Sequence, residues 1–302
     1  MADSFDPNGV GIANGNIFGF PVSENEADIL LIPVPWDATA SYGKGTSNGP
    51  KAILDASTQL DFYHYQLPEA WKTKVFMTPI SEEWQQINDE LCIQAIEYIQ
   101  FLEQGGELTA DSPYLEIVQQ INAAQVALKE NLKERSKQLL AAGKKVAVVG
   151  GEHSTPLGLI EALDDLGEPF GILQIDAHAD LREAYESFEQ SHASIMYNVV
   201  KTCKNLEKLV QVGIRDVAAS EVALSQESAK IETHYDWEIK RRQFEGESWK
   251  SIVDSIVRSL PQRVYISFDI DGLHPSLCPN TGTPVVGRAS RWCRPSERCT
   301  AS

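Results

Sequence analysis

The sequence has little cysteine, no excess of basic charge and no long apolar run. Its five cysteines, Cys92, Cys203, Cys278, Cys293 and Cys299, are odd in number and lack the spacing of a disulfide framework or a zinc site. The formal net charge of −17 argues against the basic face of a nucleic-acid-binding protein. No apolar stretch reaches the roughly 20 residues of a membrane helix, and the polar start lacks the pattern of a secretory signal. These absences predict a cytoplasmic protein with reduced thiols and with neither a nucleic-acid nor a membrane partner.

The remaining composition is that of a globular α/β enzyme. The 302 residues are 42% hydrophobic, which is enough for one large domain with its own core. Short β-branched runs alternate with helical patterns, at 155–164 and 246–260 among others, and this order favours a parallel sheet covered by helices on both faces. The predicted strands are 27–33, 145–149, 170–176, 209–214 and 263–269.

Two amphipathic helices lie between the first two predicted strands. One apolar stripe runs along residues 84–102 at helical spacing. A second stripe starts near Tyr114, with Asp111 or Ser112 as the expected N-cap, Pro113 in the first turn and Gly143 after the end. We interpret both stripes as core-facing surfaces within a helical insert at about 64–143. The whole chain, 1–302, is predicted to be a single domain.

Three segments place metal-ligand residue types directly after predicted strands. They read GGEHS at 150–154, DAHAD at 176–180 and DID at 269–271. Alternate residues of an extended chain share one side, and ligand sites of parallel sheets lie at the carboxyl ends of their strands. Any one segment alone is more often a turn, a cap or a hydrogen-bonded core histidine. Together they predict a metal site. Its candidate ligands are His153, Asp176, His178, Asp180, Asp269 and Asp271.

The charge of this set predicts two divalent cations. The four aspartates carry −4, and without cations such crowded carboxylates would repel one another and take up protons. Carboxylate and imidazole ligands suit manganese, with nickel as the alternative. Two such ions lower the pKa of bound water from about 15.7 to about 7. The residues therefore indicate a dinuclear hydrolase. A dinuclear phosphohydrolase stays open here, with Arg182 as its candidate phosphate-binding residue.

The same segments carry a family resemblance. GGEHS, DAHAD, SFDID at 267–271 and PNTGTP at 279–284 resemble the signatures of the ureohydrolase family, which includes arginase, agmatinase, formimidoylglutamase and guanidine hydrolase. The stretch VPWDATASYGKGTSNGPKAI at 34–53 is similar to the family's first strand and substrate loop. The resemblance covers residues 28–63 and 145–287. It implies an arginase-like three-layer α/β/α fold and metal-dependent hydrolysis of a small guanidino substrate. It also implies a homo-oligomer when the chain is complete.

The resemblance also assigns roles to the candidate residues. One metal would be held by His153, Asp176, Asp180 and Asp269. The other would be held by Asp176, His178, Asp269 and Asp271. Asp180 would orient the attacking hydroxide. His192 matches the family's proton-shuttle histidine, although chemistry alone leaves a surface role equally open.

Residues near the motifs indicate which of this family's substrates the chain prefers. Arginases carry asparagine where this chain has Arg182, and an acidic residue for the substrate's α-amino group where it has Ala218. Agmatine, cleaved to putrescine and urea, is therefore the first expectation. Guanidine or formimidoylglutamate is the alternative. His274 stands where the family has aspartate and is expected to disturb the residues behind the ligands.

The last fifteen residues, RASRWCRPSERCTAS at 288–302, are basic and have no apolar period. A natural basic tail is the ordinary interpretation. Because the resemblance stops at Gly287, the expectation is instead a truncated family member that aggregates or is only weakly active.

Overall fold

The structure, a computed structural model, describes residues 5–287, so the predictions for the tail at 288–302 lie outside the described residues. Strands and helices alternate along most of this length. The strands are β1 (Ile29–Val34), β2 (Val75–Met77), β3 (Lys145–Gly150), β4 (Phe170–Ile175), β5 (Leu206–Ile214), β6 (Ile231–Tyr235) and β7 (Val264–Phe268). The helices are α1 (Gly49–Ala56), α2 (Glu82–Glu103), α3 (Leu115–Ala141), α4 (Leu157–Asp164), α5 (Ile195–Thr202), α6 (Ala219–Glu227), α7 (Asp236–Phe244) and α8 (Trp249–Arg258).

The chain divides into two units, and the first holds a three-stranded sheet. It comprises the described residues up to Glu168 together with Asp180–Asn205. Its strand order is β2-β1-β3, and both pairs are parallel, with Leu30 in register with Val146. Strand β1 is almost wholly apolar, as expected for a central strand that is covered on both faces.

Helices α2 and α3 close the core of this unit. Their buried side chains, Ala95, Tyr98 and Ile121 among them, join one hydrophobic cluster with Leu30 of β1. The prediction that both stripes face the core is therefore confirmed. Burying each large apolar side chain in such a cluster contributes about 1.5–3 kcal/mol, which explains why long, polar-faced helices stay attached here.

The start of α3 differs from the prediction. The helix begins at Leu115, and neither Asp111 nor Ser112 caps it. The hydroxyl of Ser112 accepts a hydrogen bond from the amide of Tyr114, only two residues ahead. This short-range bond closes a local turn, so the serine cannot also serve the first amides of the helix.

The second unit holds a four-stranded parallel sheet. It comprises Pro169–Ala179 together with the described residues from Leu206 onward, and its strand order is β6-β5-β4-β7. Val210 and Val212 of β5 pack against Ile252 and Ile256 of α8. Within the described part of the chain β7 pairs on one side only, and its side chains at Ile266 and Phe268 are exposed.

Every strand pair in the described residues is parallel, and helices follow the strands, which confirms the α/β prediction. The sequence patterns missed several elements: the short strands β2 and β6 and the helices α5, α6 and α7. In residues 5–287 no helix has both the length and the apolar character needed to cross a membrane.

Candidate metal centre and histidine loop

Three predicted ligands meet in the second unit where β4 and β7 end. Asp176 and His178 follow β4, and Asp271 follows β7. His178 Nδ1 lies 2.9 Å from Asp271 Oδ2 and 3.7 Å from Asp176 Oδ1. One ligand atom from each of the three residues lies within 4.8 Å of the other two. This spacing suits side chains that share one cation.

Strand pairing brings these residues together. Ile175 of β4 is in register with Phe268 of β7, so both strands end at the same level. The amide of Asp269 donates to the carbonyl of Ile175 at 2.9 Å, and a carboxylate oxygen of Asp269 accepts from the amide of Asp271 at 2.9 Å. Asp269 thereby turns the chain and directs Asp271 toward Asp176.

A glycine next to the site admits the close approach of β5. Gly213 has a φ of +97°, and a Cβ there would lie 3.0 Å from the carbonyl oxygen of Asp176. Any side chain at this position would therefore meet both backbone strain and a contact with the ligand segment. Gly213 opens the segment GIRD at 213–216.

Hydrogen bonds hold the carboxylates in place. Asp176 accepts from the Gln174 side-chain amide at 2.8 Å and from the His178 backbone amide at 2.8 Å. Asp271 accepts from the Thr283 hydroxyl at 3.0 Å and from the Ala177 amide at 3.1 Å. Sequence analysis missed Gln174 and Thr283 as supporting residues. A polar residue inside the apolar run of β4 and the second threonine of PNTGTP were the available signals.

The electrostatics of the cluster favour a bound cation. Burial raises the pKa of Asp271, and the neighbouring carboxylate of Asp176 raises it further. Burial would lower the pKa of His178, but its hydrogen bonds to Asp176 and Asp271 raise it to about 11. A proton on His178 thus partly compensates the negative charge of two buried carboxylates. A divalent cation would compensate that charge more completely.

This arrangement predicts a pH-dependent metal affinity. An ion bound through His178 would have to displace the His178 proton, so the affinity of this site for Mn²⁺ should rise about tenfold per pH unit between about pH 6.5 and 8. Equilibrium dialysis of the metal-free protein at several pH values measures this slope. His178→Asn carries no such proton and should show a shallower slope. A pH-independent affinity of the unaltered protein would contradict the assignment.

Two further predicted ligands, His153 and Asp180, meet in the first unit. His153 Nδ1 lies 2.7 Å from Asp180 Oδ2, and both side chains are buried. Asp180 has a φ of +55°, unusual for a residue other than glycine, and its carbonyl accepts from the amides of Met196 and Tyr197 at the start of α5. Such strain is found where a side chain must be held in one direction.

His192 lies on the loop before α5 and is largely buried. Its Nε2 is 3.3 Å from Ser41 Oγ, and its Nδ1 is 3.9 Å from Glu152 Oε2. The ring of Tyr185 meets it edge-on, with centroids 5.9 Å apart. The structure therefore places His192 in a polar, enclosed setting rather than on the open surface that chemistry alone allowed.

Glu152 is a functional candidate that sequence analysis missed. Its buried carboxylate accepts hydrogen bonds from the hydroxyls of Thr39 at 2.5 Å and Ser154 at 2.8 Å. Burial raises its pKa to about 7, although these hydrogen bonds act in the opposite direction. Gly151 beside it must be glycine, since a Cβ there would lie 1.9 Å from the carbonyl oxygen of Trp36.

Two residues singled out from the sequence have other described contacts. The guanidinium of Arg182 lies over the ring of Tyr185, 4.6 Å from its centroid. His274 Nδ1 is 2.8 Å from Ser276 Oγ in an exposed turn. The disturbance expected from His274 stays a prediction.

Comparisons with known proteins identify the family. The Arginase family model matches residues 27–290. An N(1)-aminopropylagmatine ureohydrolase of Thermus thermophilus is 32% identical over 267 residues, which are 88% of this chain and 74% of that protein. An agmatinase of Neisseria meningitidis is 26% identical over 284 residues, 91% of this chain and 77% of that one.

Solved structures support the same fold. The agmatine ureohydrolase of Thermoplasma volcanium superposes with a TM-score of 0.60 at 21% identity, covering 87% of this chain and 74% of its own. The formiminoglutamase of Trypanosoma cruzi with Mn2+2 superposes with a TM-score of 0.63 at 17% identity, covering 90% of this chain and 79% of its own. The predicted arginase-like fold is therefore confirmed. Because the family model spans most of its length, the chain belongs to the Arginase family, as its motifs predicted.

Proposed function

We propose that this protein hydrolyses a C–N bond in the guanidino group of a linear, amine-bearing compound. Water adds across that bond, and the products are urea and an amine. The observation that carries the proposal is the largely buried cluster of Asp176, His178 and Asp271 at the strand ends of an Arginase-family chain. Agmatine, which would yield putrescine and urea, is the first candidate substrate.

The donor set fits divalent cations, and we propose manganese before nickel. Asp176, His178, Asp269 and Asp271 would hold one ion. The family resemblance adds His153 and Asp180, with Asp176 and Asp269, for the other. When bound, the ions would supply activated water near neutral pH. The formiminoglutamase of T. cruzi is described with manganese, which is consistent with the first choice.

The chain's own residues would orient the reactants and move protons. Asp180, fixed against the start of α5, would direct the water. His192 would deliver a proton to the leaving amine, with Ser41 and Glu152 facing its two ring nitrogens. The net charge of −17 would attract a cationic substrate. Proton transfer by a positioned histidine contributes typically about 10²–10⁴-fold in rate.

N(1)-aminopropylagmatine is the second candidate substrate. A relative of that name shares 32% identity with this chain. Agmatine and its aminopropyl derivative both carry an amine and no α-carboxylate, in keeping with Ala218 where arginases have an acidic residue. Guanidine and formimidoylglutamate rank below them.

A substrate panel tests this function. With manganese or nickel added, urea release from agmatine and from N(1)-aminopropylagmatine should exceed that from arginine by at least about tenfold in kcat/KM, or about 1.4 kcal/mol. Guanidine and formimidoylglutamate complete the panel, with ammonia or formamide measured for the latter. If arginine is hydrolysed fastest, the substrate ranking is wrong. If no compound is hydrolysed by the metal-loaded protein, the proposed function is wrong.

A further inference from the structure

We infer that Gln125 of α3 is a positioning residue that fixes the orientation of His192. This inference rests on the proposed function, because it concerns the histidine assigned to proton transfer there. Gln125 lies on the buried face of α3, where Ser136 is the other buried polar residue among five apolar ones. A buried side-chain amide weakens a core unless it forms hydrogen bonds, so its place on this face requires a reason.

The amide of Gln125 joins two loops. Its Nε2 donates to the carbonyl of Gln190 at 2.6 Å and to the hydroxyl of Thr39 at 3.2 Å. Gln190 is two residues before His192. Thr39 belongs to the loop after β1 that also carries Ser41, whose hydroxyl faces His192 Nε2. One side chain thus ties the histidine's own loop to the loop beside its ring.

The chain of hydrogen bonds continues behind the ring. The fully buried hydroxyl of Thr39 accepts from Gln125 and donates to Glu152 Oε1 at 2.5 Å. The other oxygen of that carboxylate, Oε2, faces His192 Nδ1 at 3.9 Å. Gln125 therefore sets the position of the groups that face both nitrogens of the imidazole.

The loop needs this support because its backbone is strained. Glu186 and Ser187 have φ angles of +53° and +64°. Asn122, one turn before Gln125 on α3, donates to the Ser187 carbonyl and accepts from the Glu189 amide, both at 3.1 Å. Conformations of this kind persist when surrounding contacts hold them. Helix α3 supplies those contacts at positions 187, 189 and 190.

Replacing Gln125 by Met removes the donor and keeps the length of the side chain. In the described part of the chain Oε1 of Gln125 accepts no hydrogen bond, so only the Nε2 bonds are lost. We expect kcat to fall about 10–100-fold, the usual effect of losing a group that orients an active-site residue. KM should change less than about twofold and metal content should not change, because the hydrogen bonds of Gln125 go to Thr39 and Gln190 and to none of the predicted metal ligands.

Three further variants separate positioning from general stability. Gln120→Met makes the same change on the exposed face of α3 and should behave like the unaltered protein. Thr39→Val removes the bridging hydroxyl and should lower kcat like Gln125→Met. Thr39→Ser keeps the hydroxyl and should restore most of the activity. Hydrogen–deuterium exchange of residues 186–192 should be faster in Gln125→Met and Thr39→Val, and unchanged in Gln120→Met.

The outcomes are distinct. Unchanged kcat in Gln125→Met, a rise in KM alone, loss of metal, or equal losses in Thr39→Ser and Thr39→Val would each overturn the inference. If the unaltered protein hydrolyses no guanidino compound, the proposed function fails. Exchange of residues 186–192 then decides whether Gln125 holds this loop: faster exchange in Gln125→Met supports the role, and identical exchange overturns it.

Discussion

Asp271→Asn is expected to remove bound metal and to lower kcat/KM for the preferred guanidino substrate by at least about 1,000-fold, or about 4 kcal/mol. Asp271 lies 2.9 Å from His178 and is almost completely buried. The variant loses one of the charges that attract a divalent cation, and its amide nitrogen is no metal ligand. Elemental analysis and urea release should therefore fall together.

The fold should tolerate this change. An asparagine can accept the amide of Ala177 through its oxygen and can still bond the Thr283 hydroxyl through its nitrogen. The melting temperature of the metal-free variant should therefore stay close to that of the unaltered metal-free protein. Asp254→Asn, the same substitution on the exposed face of α8, is the matched control and should retain metal and activity. Full metal occupancy in Asp271→Asn would show that this cluster is not the metal site.

Ile266→Lys is expected to weaken self-association of the chain by about 100-fold or more. Ile266 is 62% exposed and Phe268 is 47% exposed on β7, whose outer edge is unpaired within residues 5–287. An exposed apolar edge strand is a template for pairing with another chain. Burying one such isoleucine contributes about 1.5–3 kcal/mol, and a symmetric contact between two copies would lose that amount twice.

Light scattering across a concentration series measures this effect. The unaltered chain should grow in mass with concentration, whereas Ile266→Lys should stay monomeric over the same range. Phe244→Lys is the control, since it removes an even more exposed side chain at the end of α7, away from the edge strand. If both variants reduce self-association equally, the cause is a general effect of the added charge. Unchanged association in Ile266→Lys would exclude β7 as the contact.

Much of the ligand set and of the fold class could be predicted from the sequence. Strands that end in GGEHS, DAHAD and DID indicated both a parallel sheet and a cluster of carboxylate and imidazole groups. For Asp176, His178 and Asp271 the prediction works because these residues follow β4 and β7, which are neighbouring parallel strands with carboxyl ends at the same level. The structure brings Asp176, His178 and Asp271 together in this way, and their role as metal ligands stays a prediction.

The sequence by itself also determined two helices before β3, because α2 and α3 carry apolar stripes of helical period. It did not reveal β2, a strand of three residues, or β6, whose five residues IETHY include only two apolar side chains. Such short elements are held by their neighbours in the sheet, so their own residues carry little signal.

Only the tertiary structure decided which polar side chains face one another. His178 and Asp271 are separated by 93 residues, and Gln125 and Thr39 by 86. In the sequence alone, Gln125 is a polar residue within an apolar stripe, and Glu152 is the neighbour of a candidate ligand. Their contacts depend on strand order, strand register and the packing of α3 against loops far away in the chain. Local periodicity records which face of an element is buried, but it does not record what lies opposite that face.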